Sequence, residues 1–568
     1  WFDVRPSDGI PGYDTIDNKH PFALIFFNER LQALHKRWLD ALLTTPNPYT
    51  GQPLAKEPAI ALIELVNEDS FFFWTFSKRQ IPAQQWEELE QRFGAWLADR
   101  YGSVEAAIAA WGGPSLPSDD PAQGQAGLYE AWYMTRDGLP QVNRRRISDQ
   151  VRFLAELQRR FYAETVRYVR EELGASSLIV ASNWTVADPL LLDPIERYTY
   201  TAADVVDRHG YVQGKHEGEG ASYSVRIGHT YEDLAAVTVP ASLPLAVIQV
   251  EGYPHIISEL GWPSPNRYRA DALILSAAYA GLQGLDGLFF FAVGNNFLND
   301  QSISKFSLST PLMAGGFPAA ALLYRRGDVT SPPPVIRQAV GLEQLYALRG
   351  AGGATAQALD AARLGEAPLG SAGAEGGGID PLAPYVGPVV RAYTGSGSSA
   401  EPLEGAIDRQ ARVIRSRTGE LVWRWGDGIV TIDTPRSQGA AGFLGKAGRI
   451  ELTDVTLEVQ NPFASVVVTA LDDLPLSRSK KILVQALTED QPYGFRVDQG
   501  RIVALGGPPF EVRRIDAAVE LRVAGPIRVV ALDENGYARP DPVAVTAESG
   551  GGVRIQLRPD ALYHVILR

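Results

Sequence analysis

Cysteine is absent from the chain. That excludes disulfides, a thiol nucleophile and cysteine-ligated zinc, and it leaves the redox compartment open. Methionine is scarce, at two residues; together with many prolines and a preference for arginine over lysine this points to a hot habitat. No apolar run reaches the length of about 18 residues that a membrane-spanning helix needs. No signal-like start is present. The chain opens at Trp1 without a methionine, and we expect it to be processed, trimmed or incomplete. Basic charge is outweighed, with 53 Lys and Arg against 66 Asp and Glu and a net charge of -13. A nucleic-acid partner, which wants a basic face, is not expected.

What is present is apolar mass and length. Hydrophobic residues make up 45% of 568 positions, enough for two or three domains with large cores. Two stretches have the same shape. Residues 59–66 form an apolar, strand-like run that ends in Asn67-Glu68, and His255 to Ser258 ends in Glu259, followed by Leu260, Gly261, Trp262 and Pro263. Each reads as a buried strand delivering one carboxylate where the chain turns into a loop. Two carboxylates at the ends of two apolar strands suit a catalytic pair at the open end of a parallel barrel.

In chain order, residues 1–21 read as loop, with Asp8-Gly9 and Pro11-Gly12. Asn28 caps a helix whose apolar positions are Leu31, Leu34, Trp38, Leu39 and Leu42. After the 59–66 strand comes an insertion of helices near 83–100, 103–111 and 146–173, with a Pro- and Gly-rich excursion at 113–143. A strand/helix alternation follows: strand 177–184, helical turn 188–199, strand 205–212, strand 255–260, helix 267–282 and strand 285–292. Such alternation implies parallel strands joined by helices. Near residue 328 the texture changes. Residues 329–410 read as a linker and an Ala/Gly-rich connection with a short helix at 355–364. Residues 411–568 read as short strands and turns, an all-β sandwich-like domain.

The ordered set Asn67-Glu68, His209-Gly210-Tyr211, Glu259 and the 285–292 strand resembles the retaining glycoside hydrolases of clan A, which are (β/α)8 TIM barrels. Asn47-Pro48-Tyr49-Thr50-Gly51 and Val66-Asn67-Glu68 are similar to phrases of cellulase-like, family 5-related proteins. The segment from Trp96 to Trp111 resembles the insertion of family 42 β-galactosidases. The resemblance implies Glu68 as acid/base at the end of barrel strand 4 and Glu259 as nucleophile at the end of strand 7. It also implies an oligo- or polysaccharide substrate, no cofactor, and a secreted or periplasmic setting. The sequence departs from the pattern in one respect. Residues 1–21 have no room for strands 1–3, so the catalytic domain, 1–328, begins at strand 4. A five-stranded remainder leaves two long edges, and we expect a separate N-terminal fragment to cover them.

In this reading Asn67 holds the sugar 2-hydroxyl, Tyr211 donates to Glu259, and His209 bonds a hydroxyl or the acid/base. Trp262, Trp184 and Trp74, with Tyr253, are candidate stacking platforms. Asn183, Asn295 and Asn296 are candidate hydroxyl partners. Glu64 and Asp207 read as structural. His216, Glu217 and Glu219 match no compact metal motif and read as a solvated loop, so no metal is expected. Trp423 and Trp425 share one strand face and read as core. The favoured function is an endo-acting retaining β-glycosidase. An exo-acting β-galactosidase and an inert carbohydrate-binding barrel are the alternatives.

Overall fold

Leu62–Glu64, inside the first apolar run, pairs in parallel with Leu178–Val180 in the computed structural model, which describes residues 3–212, 214–350, 379–523, 526–547 and 552–568. Backbone bonds from Leu65 to Val180 and from Val66 to Ala181 carry this pairing toward Glu68. Val180 then bridges Val205, and Val206 bridges His255, both in parallel. His209–Tyr211 pairs in parallel with Ile256–Gly261, which pairs in parallel with Gly287–Phe290. Five parallel strands therefore follow one another in chain order, as expected.

Among the described residues nothing pairs with the outer side of Leu62–Glu64 or of Gly287–Phe290. The five strands do not close into an eight-stranded barrel. Exposed apolar side chains stand at the last strand, Phe289 and Val293, and on the Glu29–Thr44 helix that precedes the first, Trp38 and Leu42. This corrects the expected face of the Glu29–Thr44 helix. Asn28 caps it as read, accepting from Leu31 N at 2.8 Å, but Leu31, Leu39 and Leu43 are buried while Trp38 is 57% exposed.

The insertion contains helices Ala83–Tyr101, Val104–Ala110 and Arg144–Arg167. Their buried aromatic residues join Phe26, Phe71 and Phe72 in one core. The 113–143 excursion is pinned to this body. Arg146, wholly buried, pairs with buried Asp119 at 2.6 Å and donates to Gly127 O. Burial alone would raise the Asp119 pKa, but Arg146 and the N–H groups of Leu116, Ser115 and Gly127 outweigh it and hold it at about 2.

The 329–410 linker is corrected. Ile336–Ala339 pairs in parallel with Val389–Ala392, which pairs in parallel with Ile248–Val250. The segment thus adds a second sheet to the helical layer. The expected helix at 355–364 lies outside the described residues. Beyond it, a nine-stranded sheet and a five-stranded sheet, antiparallel throughout, share a core of Val455, Leu457, Val466, Val484, Val519 and Ile566, among others. Trp423 is buried and donates to Val237 O at 2.8 Å, so it belongs to the core joining the two halves of the chain.

One element of the C-terminal half leaves its own layer. The hairpin Asp490–Asp498 and Arg501–Val512 turns at Gln499-Gly500, both with positive φ, as a two-residue turn between twisted strands demands. Its tip joins the loop that follows His209–Tyr211. Tyr231 N bonds to Gly500 O at 2.8 Å, and Ile502 N bonds to His229 O at 2.9 Å.

Candidate active site

Parallel pairing sets His209 beside Glu259 in register. Side chains two residues apart on a strand share a face, so Tyr211 lies on the same side and its hydroxyl donates to Glu259 Oε2. Gly210 is needed between them, because a Cβ there would stand 2.1 Å from Pro244 Cβ. The Ile256–Gly261 strand is irregular: Ile257 faces Leu288 and Leu260 faces Phe290, three residues against two. Such a bulge re-aims side chains. It explains how consecutive residues, Ser258 and Glu259, both reach the His209 ring, at 3.0 and 3.4 Å.

Glu68 approaches from the other side. Its Oε1 lies 2.8 Å from His209 Nδ1. That nitrogen faces two carboxylates, so it carries the proton, and Nε2 takes the Ser258 hydroxyl. Glu68 has φ 51°, a left-handed backbone that costs a non-glycine residue about 1–2 kcal/mol. Asn183 holds it there: Oδ1 accepts from Glu68 N at 3.0 Å, while Nδ2 donates to Asn67 Oδ1 at 3.1 Å and to Glu64. Asn183 is thus committed to the scaffold rather than free for a sugar hydroxyl.

One ligand atom each from Glu68, His209 and Glu259 lies within 4.8 Å of the others, and the same holds for Glu64, Asp207 and His209. These are the sets among the described residues that offer donors to a metal ion. The second set shares His209 with the first and adds Glu64 and Asp207, which the sequence reading takes as structural. Glu64 belongs to an open strand edge and its residue surface is exposed, yet its carboxyl points among other acids. Burial first, then repulsion from Asp207, Glu259 and Glu68, holds its pKa well above the ordinary value. Asp207 is raised to about 6 by burial, partly offset by His209 and by hydrogen bonds from Ser258 and Arg208.

The aromatic candidates are distributed differently. Trp184 and Trp262 are each 2% exposed, the first edge-on to Phe73 at 5.0 Å, the second within the core. Neither offers a ring face to solvent, because both are buried among neighbouring side chains. Trp74 is partly buried against the insertion's core. Tyr253 precedes the Ile256–Gly261 strand, at the end opposite Glu259, and donates to Thr201 O at 3.1 Å. Asn67 and Asn295 are exposed, while Asn296 donates to Ser309 O. His216 and His229 hydrogen-bond each other at 2.9 Å away from both acid sets.

Sequence reading missed Ser258 and Phe291. Phe291 follows the last strand, stands edge-on to Tyr211 at 6.3 Å and is 36% exposed. Its signal was its place two residues past Phe289 in an apolar strand.

No family model and no curated protein matches the chain. Among the solved structures it is similar to are three that match at low score. These are β-galactosidase from the psychrophilic Marinomonas ef1 (TM-score 0.36, 14% identity, 57% of this chain and 49% of that one), an endo-β-1,4-mannanase from Thermotoga petrophila (0.20, 13%, 53% and 52%) and a rhamnosidase from Novosphingobium sp. PP1Y (0.27, 12%, 96% and 47%). The chain spans about half the length of each. Likeness at these scores carries no argument, and function rests on the site.

Proposed function

We propose that the chain is a retaining glycoside hydrolase of β-linked glycans, with Glu68 as acid/base and Glu259 as nucleophile. The observation that carries this reading is the meeting of the two carboxyl groups at one ring nitrogen, with Glu68 Oε1 2.8 Å and Glu259 Oε2 3.4 Å from His209 Nδ1. Retaining enzymes hold their two carboxyl groups about 5–5.5 Å apart, whereas inverting enzymes leave roughly 6.5–9.5 Å for a water.

Glu259 attacks the anomeric carbon as the glycosidic bond breaks, and Glu68 gives its proton to the departing oxygen. Water then enters, Glu68 takes a proton from it, and the new hydroxyl displaces Glu259 with net retention. Tyr211 stabilises the ionised Glu259 by donating to it, since a hydrogen bond to the charged form favours that form. His209 links the two acids and orients them. Asn67 supplies an exposed amide at the mouth for a sugar hydroxyl. The unpaired parallel edges and the exposed Phe289 and Val293 at the last strand support a further proposal. Strands from outside the described residues complete the barrel.

The test is hydrolysis of a panel of β-linked polysaccharides and aryl glycosides by the wild type and by Glu259→Gln. Cleavage by the first alone, with retained anomeric configuration, is the expected outcome. Equal cleavage by both would remove Glu259 from its role. Sugar binding without cleavage by either would favour a carbohydrate-binding barrel.

A further inference from the structure

A large cleft among the described residues is lined by neither Glu68 nor Glu259. It measures about 1130 Å³ and lies between the accessory hairpin and the loops that follow three of the parallel strands. Asp233 comes from the loop after His209–Tyr211, Arg267 and Tyr268 from the loop after Ile256–Gly261, and Glu489, Phe495 and Arg513 from the hairpin and its flanks. Those loops leave the same strand ends that carry the two catalytic acids, so the cleft opens on the face of the active site.

Its chemistry is that of a neutral polyhydroxylated ligand. Two ion pairs line it, Arg267 with Asp233 at 2.7 Å and Arg513 with Glu489 at 3.4 Å, and Glu232 and Glu511 add two carboxylates that no ion pair matches among the described residues. Below them Arg269 and Asp490 form a buried pair at 2.6 Å. Each pair places donors and acceptors side by side with their charges offset, which suits sugar hydroxyls better than an anion. Tyr268 and Phe495 supply apolar rings. Two donors on the wall are buried and without a hydrogen-bond partner among the described residues: Arg269 Nε and the Tyr231 hydroxyl. Buried polar groups are ordinarily satisfied, so these two point to an occupant bearing acceptors. The volume lies at or above the roughly 300–1,000 Å³ of single small-molecule pockets, room for more than one sugar unit.

We propose that this cleft, half of it built by the C-terminal domain, is a distal subsite that binds further units of an uncharged glycan whose cleavable bond lies at Glu68 and Glu259. The proposal rests on the glycosidase reading and gives the accessory domain a part in substrate selection. It makes length, rather than the terminal sugar alone, a determinant of recognition.

The experiment uses uncharged β-linked oligosaccharides of two to six units and an aryl monoglycoside. Turnover is measured with the full chain and with Tyr231→Phe and Phe495→Ala; binding is measured by calorimetry with the same substitutions on a Glu259→Gln background. Tyr231→Phe removes only a hydroxyl and serves where Phe495→Ala disturbs folding, which circular dichroism checks. Affinity is expected to rise with chain length in the parent. In the variants that rise is lost, and the ratio of long-chain to aryl-glycoside kcat/KM falls five-fold or more. Turnover with the same length dependence in parent and variants overturns the cleft and leaves the glycosidase. Length-dependent binding that the variants lose, without turnover of any substrate, supports the cleft and overturns the glycosidase. Absence of both binding and turnover overturns both.

Discussion

His209 and Glu259 are register partners on adjacent parallel strands, with Nδ1 3.4 Å from Oε2. The same nitrogen lies 2.8 Å from Glu68, so the imidazole joins two acids that are far apart in the chain.

Tyr211→Phe keeps the ring, and its contact with Phe306 at 5.0 Å, while removing the donor to Glu259. A hydrogen bond to a charged group contributes about 1.5–3 kcal/mol, so kcat/KM should fall on the order of 10- to 100-fold. Steady-state kinetics on an aryl glycoside measure this. A change under two-fold would place the hydroxyl outside the chemistry.

Asn183→Ala leaves Glu68 N without its acceptor. A buried donor left unsatisfied costs about 1–3 kcal/mol, and the left-handed backbone at Glu68 loses its support. We expect a lower denaturation midpoint and a fall in kcat larger than any rise in KM. A pure KM effect would instead mark Asn183 as a sugar contact.

Asp207 has its pKa raised to about 6 by burial. The folded carboxyl therefore binds its proton more tightly than the unfolded one, and stability falls as pH rises from about 4 to about 6. At roughly 1.4 kcal/mol per unit, the loss is about 3 kcal/mol at most, complete above pH 6. Asn in its place stays neutral and keeps an oxygen for the N–H groups of Arg208 and Ser258. The stability advantage of Asp207→Asn should be small at pH 4 and grow toward pH 7 in thermal unfolding. A gap independent of pH would contradict the assignment.

Arg146→Met strands Asp119 as a buried charge. Breaking such a pair from one side costs about 3–5 kcal/mol. Adding Asp119→Asn should recover part of that, because the amide carries no charge and keeps an oxygen for the N–H groups of Ser115 and Leu116. Urea midpoints of the two single variants and the double variant give the coupling.

The sequence made the strand order and the polar cluster legible for the same reason. Apolar runs that end in Glu68 or Glu259 state their own burial and direction, and His209-Gly210-Tyr211 has the period that puts two side chains on one face. Trp184 and Trp262 were not legible as core, because a ring after a strand end looks alike whether a loop covers it or not. Asn183 was read as a sugar contact, since its three partners lie more than a hundred residues away at Glu64, Asn67 and Glu68. The bulge near Ser258 is a property of strand pairing, which no local pattern states. The accessory hairpin carried a signal in Gln499-Gly500, but its strand destination lies in a loop near residue 230. The 329–350 stretch read as a linker because its strand, Ile336–Ala339, finds its partners only in residues 389–392 and 399–400.

That hairpin bears on how the chain can be divided. Cutting near residue 410 separates two textures in the sequence, yet Arg501 and Ile502 are hydrogen-bonded into the loop at Gly228 and His229. Trp423 is likewise bonded to Val237. The two halves are not interchangeable modules. A recombination event that grafts residues 1–328 onto another sandwich leaves one wall of the cleft behind, so on the proposed reading such a graft keeps the two acids and loses the length selectivity.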